Sequence, residues 1–248
     1  MNEATCPICD GTGFEIRTSP SGFTSASRCP CDLRGRAEKL LRSARIPRRY
    51  DHCSLDSFEL QHASHESAQK IARDWAARWP IVEHGLFFLG PAGTCKTHLA
   101  IGIARELAST KGARVLFYEQ RELLKDIQDT FDAGSSQREG EILGPVLEAE
   151  LLILDDLGAG RTTAWVRDVM HDIITQRYNE RRPILITSNR ETGEESEGVT
   201  EKEPVPEGLT LRDRLGDALM SRLHEMCLIV PVQGRDYRRG VLHARHRL

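Results

Sequence analysis

Residues Gly90-Pro91-Ala92-Gly93-Thr94-Cys95-Lys96-Thr97 set two glycines ahead of a Lys-Thr pair. Glycine permits backbone angles closed to other residues, so consecutive N–H groups there can turn inward around an anion. Lys96 is placed to reach the β- and γ-phosphates of a nucleoside triphosphate, and Thr97 to offer its hydroxyl to Mg²⁺. The stretch follows the pattern G-x-x-x-x-G-K-[ST] with one departure, Cys95 in place of the second glycine. A small side chain where loop becomes helix is expected to fit with helical angles if its Cβ clears the phosphates. A loop that binds nucleotide but hydrolyses it poorly is one alternative. A Gly-Pro turn before an ordinary helix is the other.

Two more groups of residues could do chemistry. Leu151-Leu152-Ile153-Leu154 runs into Asp155-Asp156. Asp155 there would hold Mg²⁺ through water, and Asp156 would orient and deprotonate an attacking water. Asn189, closing the run from Pro183, carries an amide that can reach that water or the γ-phosphate. The second group is Cys6-Pro7-Ile8-Cys9 with Cys29-Pro30-Cys31. Four thiolates at this spacing can hold Zn²⁺ and stabilise a segment too short to build a core. Unligated thiols or a redox pair are the alternatives.

The elements that must position these residues are legible as apolar runs. Leu86–Leu89 is too short for a helix and has a buried strand's length, and Leu99, Ile103 and Leu107 after the loop recur at helical spacing. Strand, glycine loop, Lys-Thr and helix is the context a phosphate-binding loop requires. Further strands are expected over 114–118, 151–154, 183–187 and 227–230. Helices are expected over 68–79, 120–132, 165–181 and 209–225. Unbroken apolar strands alternating with helices argue for an α/β doubly wound parallel sheet of five strands. In such a sheet Asp155 and Asp156 sit at the ligand-binding edge, on a strand neighbouring the loop.

The 248 residues carry 29% charged residues and a net charge of −3, which suits a soluble globular chain and gives no global signal for nucleic acid. The basic residues are clustered, however. Arg34, Arg36, Lys39, Arg42, Arg45, Arg48 and Arg49 crowd a short amphipathic helix and its exit, and Arg235, Arg238, Arg239, Arg245 and Arg247 crowd the last residues. Either cluster is a solvated face or a contact for a phosphate backbone or acidic surface. An acidic Gly/Pro-containing loop is expected over 191–208 and a polar break over 134–137. No run approaches the ~18 apolar residues of a membrane helix. No secretory signal opens the chain, so thiols free or metal-bound and a cytoplasmic location are expected. The expected organisation is a zinc-binding segment 1–33, a basic helical connector 34–52 and an ATPase domain 53–248.

Gly90–Thr97, Leu151–Asp156 and Thr187–Asn189 together resemble the AAA+ branch of P-loop ATPases. With Ile46-Pro47-Arg48-Arg49-Tyr50, the loop extended through His98-Leu99-Ala100, Leu157-Gly158 and Ser221-Arg222-Leu223-His224-Glu225, the set resembles the DnaC/DnaI/IstB family. These are bacterial replicative-helicase loaders and ATPase helpers of insertion-sequence transposases. The resemblance spans residues 46–240 and implies little or no C-terminal lid. It implies ATP as the nucleotide, contacted by the loop and His98, with Mg²⁺ at Thr97 and Asp155. It makes Asn189 the first sensor, Arg222 an arginine finger into a neighbouring subunit, and Arg238 a second sensor in its own subunit. It further implies a homo-oligomer with ATP between subunits, on DNA (single-stranded for a loader) and partnered by the replicative helicase or a transposase. A nucleotide-gated adaptor with little turnover is the alternative that Cys95 suggests.

Overall fold

The computed structural model describes residues 6–18, 23–131, 138–193 and 210–238. The break at 134–137, most of the acidic loop 191–208, and Arg239, Arg245 and Arg247 lie outside the described residues. An antiparallel hairpin, β1 (Phe14–Thr18) and β2 (Thr24–Arg28), leads into α1 (Pro30–Ser43). The α1 helix runs across the expected boundary at 33/34. Its end is held to the sheet where the Phe117 N–H donates to the Ala44 carbonyl at 2.8 Å and Arg45 pairs with Asp126 at 2.7 Å.

The main sheet has β3 (Gly85–Leu89), β4 (Val115–Glu119), β5 (Leu151–Asp155), β6 (Ile184–Ser188) and β7 (Cys227–Pro231) in the order β4-β5-β6-β3-β7, all parallel. Every residue of β5 and β6 is buried, as unbroken apolar strands demand when both faces are covered. One face packs on α2 (Ala63–Arg78) and α3 (Lys96–Thr110), with Phe88, Ile101, Ile103, Ile153 and Leu185 in its core. The other packs on α4 (Gln120–Asp129), α5 (Glu139–Glu148) and α6 (Ala164–Asn179), around Phe87, Leu154, Met170 and Ile186. The five expected strands are therefore all present in a doubly wound sheet.

Three features differ from the expectation. The helix expected over 209–225 is two, α7 (Leu211–Leu215) and α8 (Asp217–Met226). Gly216 divides them with φ 84° and ψ 158°, angles outside any helix, and Thr210 starts α7 with a capping box to Asp213. The α5 helix was not expected at all. Gly140, Gly144 and Pro145 depress its propensity, and burial of Ile142 and Val146 overrides them. Finally, β6 lies between β3 and β5, so the aspartates are one strand further from the phosphate loop than a neighbouring strand would put them.

Candidate active site

Strand β3 ends at Leu89 and the chain turns through Gly90–Cys95 into α3. At Gly93 φ is 81°, and a Cβ there would collide with the Asp236 carboxylate. The segment after β7 lies on the loop at this point, with the Tyr237 N–H donating to the Gly93 carbonyl at 3.0 Å. Only glycine allows that approach.

Cys95 does not take helical angles. It sits at φ 64° and ψ 24°, the left-handed region, as the cap of α3. That conformation costs a side-chain-bearing residue about 1–2 kcal/mol, which is why glycine suits this position. A Cys95→Gly variant is expected to relieve the strain and to lose part of the gain, about 0.4–1 kcal/mol, to a more flexible unfolded chain. Chemical denaturation should show a net gain of between about 0 and 1.6 kcal/mol. A loss of stability would mean that packing of the half-buried thiol outweighs the strain.

Lys96 is buried, and its Nζ donates to the carbonyls of Gly90 at 2.8 Å and Pro91 at 2.6 Å. Burial pulls its ammonium down to about 8, against the attraction of Asp156 and Asp155. In the same cleft Asp155 is 4% exposed, and its Oδ1 accepts from Thr97 Oγ1 at 2.8 Å and Thr187 Oγ1 at 2.7 Å. Burial pushes its carboxyl up, and those two hydroxyls oppose the shift. The site therefore holds a buried cation on neutral carbonyls and a buried carboxylate on neutral hydroxyls. Asp156, at φ 57°, accepts from Asn189 Nδ2 at 2.6 Å through Oδ1.

Thr187 is a residue of the cleft that sequence reasoning did not single out. Besides binding Asp155, it accepts the Asp156 N–H at 2.9 Å, so the intervening strand β6 joins both acids to the site. A hydroxyl two residues before the Asn that closes β6 was the available signal. Asp155, Asp156, Thr187, Asn189, Lys96, Thr97, His98, Cys95, Gly93, Ala92 and Arg238 all line one cleft of about 700 Å³. Arg222 does not. It sits on α8, its Nη1 3.2 Å from His171 Nε2 and from the Ala218 carbonyl.

The donor set fits the groups that the sequence implies. Thr97 and Asp155 offer hard oxygen ligands side by side, as Mg²⁺ requires. Far from the cleft in sequence, the sulfurs of Cys6, Cys9, Cys29 and Cys31 lie within 4.8 Å of one another, with Cys9 and Cys31 at 3.4 Å. The backbone N–H groups of Ile8 and Cys9 bring the Cys6 thiol down to about 7, whereas the neighbouring Cys9 and Cys29 push Cys31 up to about 12. Four thiols so close cannot all ionise unless a cation joins them, and a Cys₄ set suits zinc. Among the described residues no helix is long and apolar enough to cross a membrane.

The sequence profile of the IstB-like ATP binding protein family matches residues 31–244. The chain is 24% identical over 152 residues to the replicative helicase loader DnaC of Buchnera aphidicola subsp. Baizongia pistaciae, a match covering 61% of each chain. It is 24% identical over 241 residues to the phage-like element PBSX protein XkdC of Bacillus subtilis, covering 92% of this chain and 82% of that one. The crystal structure of the DnaC helicase loader superposes with a TM-score of 0.63 at 29% identity, over 75% of this chain and 99% of that one. A profile match across most of the chain, joined to this fold, means that the chain belongs to the IstB-like ATP binding proteins, within the DnaC/DnaI/IstB family of AAA+ ATPases.

Proposed function

We propose that this protein hydrolyses ATP, assembles on DNA as a homo-oligomer with ATP between subunits, and loads the replicative helicase. The observation that carries the reading is that a buried cation, Lys96 on two loop carbonyls, and a buried acid, Asp155 on two hydroxyls, line one cleft. A magnesium nucleotide supplies a charged partner to each. Phosphate would replace the loop carbonyls on Lys96, and Mg²⁺, held by Thr97 and Asp155, would neutralise charge on the phosphate oxygens. Asp156 would take the proton of the attacking water, Asn189 would fix the orientation of that carboxylate, and Arg238 would contact the γ-phosphate. Residues 1–33, with zinc on Cys6, Cys9, Cys29 and Cys31, would dock the partner. The basic 34–52 connector would meet single-stranded DNA through its phosphates, without sequence preference. Residues 53–248 would form the ATPase domain, acting in the cytoplasm.

Capture of cellular partners on the full chain, with and without ATP, tests the reading. ATP-dependent recovery of the hexameric helicase supports it. Recovery of a transposase instead would assign the chain to the transposition helpers of the same family. Phosphate release near zero with and without DNA would leave only a nucleotide-gated adaptor.

The protonation of Lys96 adds a pH prediction. Phosphate binding needs the ammonium, which in the free chain is half lost at about 8. Affinity for a non-hydrolysable ATP analogue should be flat below that pH. Above it, affinity should fall up to about tenfold per pH unit, because the nucleotide must then bring back a proton. Titration calorimetry between pH 7 and 9.5 measures this, and a flat profile throughout would refute it.

A further inference from the structure

At the rim of the cleft, three residues outside the phosphate loop converge. His52 and Cys53 end the turn that follows Pro47, and His98 lies in the first turn of α3. One potential ligand atom from each lies within 4.8 Å of the others, and Cys53 Sγ is 3.8 Å from His52 Nε2. We infer that His52, Cys53 and His98 form a transition-metal site, suited to Zn²⁺, that fastens the 50–53 turn to the start of the phosphate-loop helix.

The chemistry of the set points to that class of ion. One thiol and two imidazoles are borderline-soft donors, which suit zinc and not Mg²⁺ or Ca²⁺. With Zn–S near 2.3 Å and Zn–N near 2.0–2.1 Å, tetrahedral geometry sets sulfur and nitrogen about 3.5 Å apart. The observed separation needs to close by only about 0.3 Å.

The two segments are already tied. His98 Nε2 donates to the Ser54 carbonyl at 2.9 Å, Ser57 Oγ donates to the His52 carbonyl at 2.8 Å, and the Phe58 ring stands edge-on to His98 at 5.5 Å. These contacts hold the ligand-bearing turn against α3 before any ion arrives. Cys53 is 2% exposed while His52 is open to solvent, so an ion would have a route in from the side of His52. Three protein ligands leave one tetrahedral position open, and all three residues line the nucleotide cleft, so water from the cleft would complete the shell. The site shares His98 with the nucleotide reading but uses none of Lys96, Thr97 or Asp155, and zinc retained by the nucleotide-free chain is measured apart from ATP binding.

The test is zinc content of the full chain, expressed with zinc and desalted through a weak chelator. The parent should retain one equivalent more than His52→Ala, whatever the Cys6–Cys31 cluster retains. Cys53→Ser should lose the same equivalent, and in a Cys9→Ser background, which disables the Cys6–Cys31 cluster, His52→Ala should still remove one equivalent. His52 is exposed, so its replacement leaves the core intact. With Co²⁺ in place of zinc, the parent-minus-His52→Ala spectrum should show a thiolate-to-cobalt band of one thiolate's intensity. Equal zinc in parent, His52→Ala and Cys53→Ser would overturn the site, as would a difference spectrum without that band.

Discussion

Arg222→Ala is expected to lower ATP turnover about 10³–10⁵-fold while leaving nucleotide binding intact, the range an arginine finger supplies to phosphoryl transfer. The argument starts from where Arg222 is not. Among the described residues it does not line the cleft of its own chain, and its guanidinium lies against a histidine ring and one carbonyl of its own helix. Neither contact gives it a part in chemistry within the same subunit. By the family resemblance it would reach into the cleft of the next subunit. Turnover of the parent should then rise steeply with protein concentration. A mixture of Arg222→Ala with Lys96→Ala subunits should also recover activity that neither variant has alone. In such a mixture some interfaces join an intact loop to an intact arginine. Phosphate release measured on the two variants and their equimolar mixture decides the matter, and a mixture no faster than its parts would sink the trans role. Loss of nucleotide binding by Arg222→Ala would instead point to a structural defect in α8.

The cleft that gathers the candidate residues was legible because its parts are short and contiguous. A glycine loop ahead of Lys96-Thr97 and an apolar run into two acids each declare their own local structure, and burial on both sheet faces fixes which ends meet. Strand order was not legible, since nothing in five similar apolar runs says which neighbours which. Thr187 was missed for that reason. Its role depends on β6 lying between β3 and β5, a fact of topology rather than of spacing. The angles of Cys95 were read wrongly because small size was treated as sufficient, when the turn before α3 demands a left-handed residue. Helix α5 was invisible because Gly144 and Pro145 argue against helix locally and only tertiary burial favours it. The convergence of His52 and Cys53 with His98 is likewise a product of the fold, joining residues some forty-five positions apart.

Asp156→Asn is expected to reduce hydrolysis by about 10²–10⁴-fold, the contribution of a positioned general base, while ATP still binds. The substitution is clean at this position. Asp156 has φ 57°, a left-handed conformation that asparagine adopts nearly as readily, so the turn after β5 survives. Its N–H bond to Thr187 Oγ1 at 2.9 Å is a backbone contact and survives as well. What goes is the negative charge, with two opposed consequences for nucleotide binding. Repulsion of the phosphates falls, which tightens binding. Lys96 also loses its largest attractive partner, which lowers the ammonium further and weakens binding above neutral pH. At pH 7 the two should nearly cancel, so binding of a non-hydrolysable analogue should stay within about tenfold of the parent, or 1.4 kcal/mol. Assemblies formed on DNA with ATP should then persist in the variant and decay in the parent, and gel filtration over time can follow both. Thr187→Val separates this chemical role from the structural one. It removes one of the two hydroxyls on Asp155, which keeps Thr97, and takes the acceptor from the Asp156 N–H, a loss that costs about 1–3 kcal/mol. Thr187→Val should therefore lower stability and turnover together, whereas Asp156→Asn should lower turnover alone. If Asp156→Asn hydrolyses ATP at the parent's rate, the proton of the attacking water goes elsewhere and the second aspartate only shapes the turn.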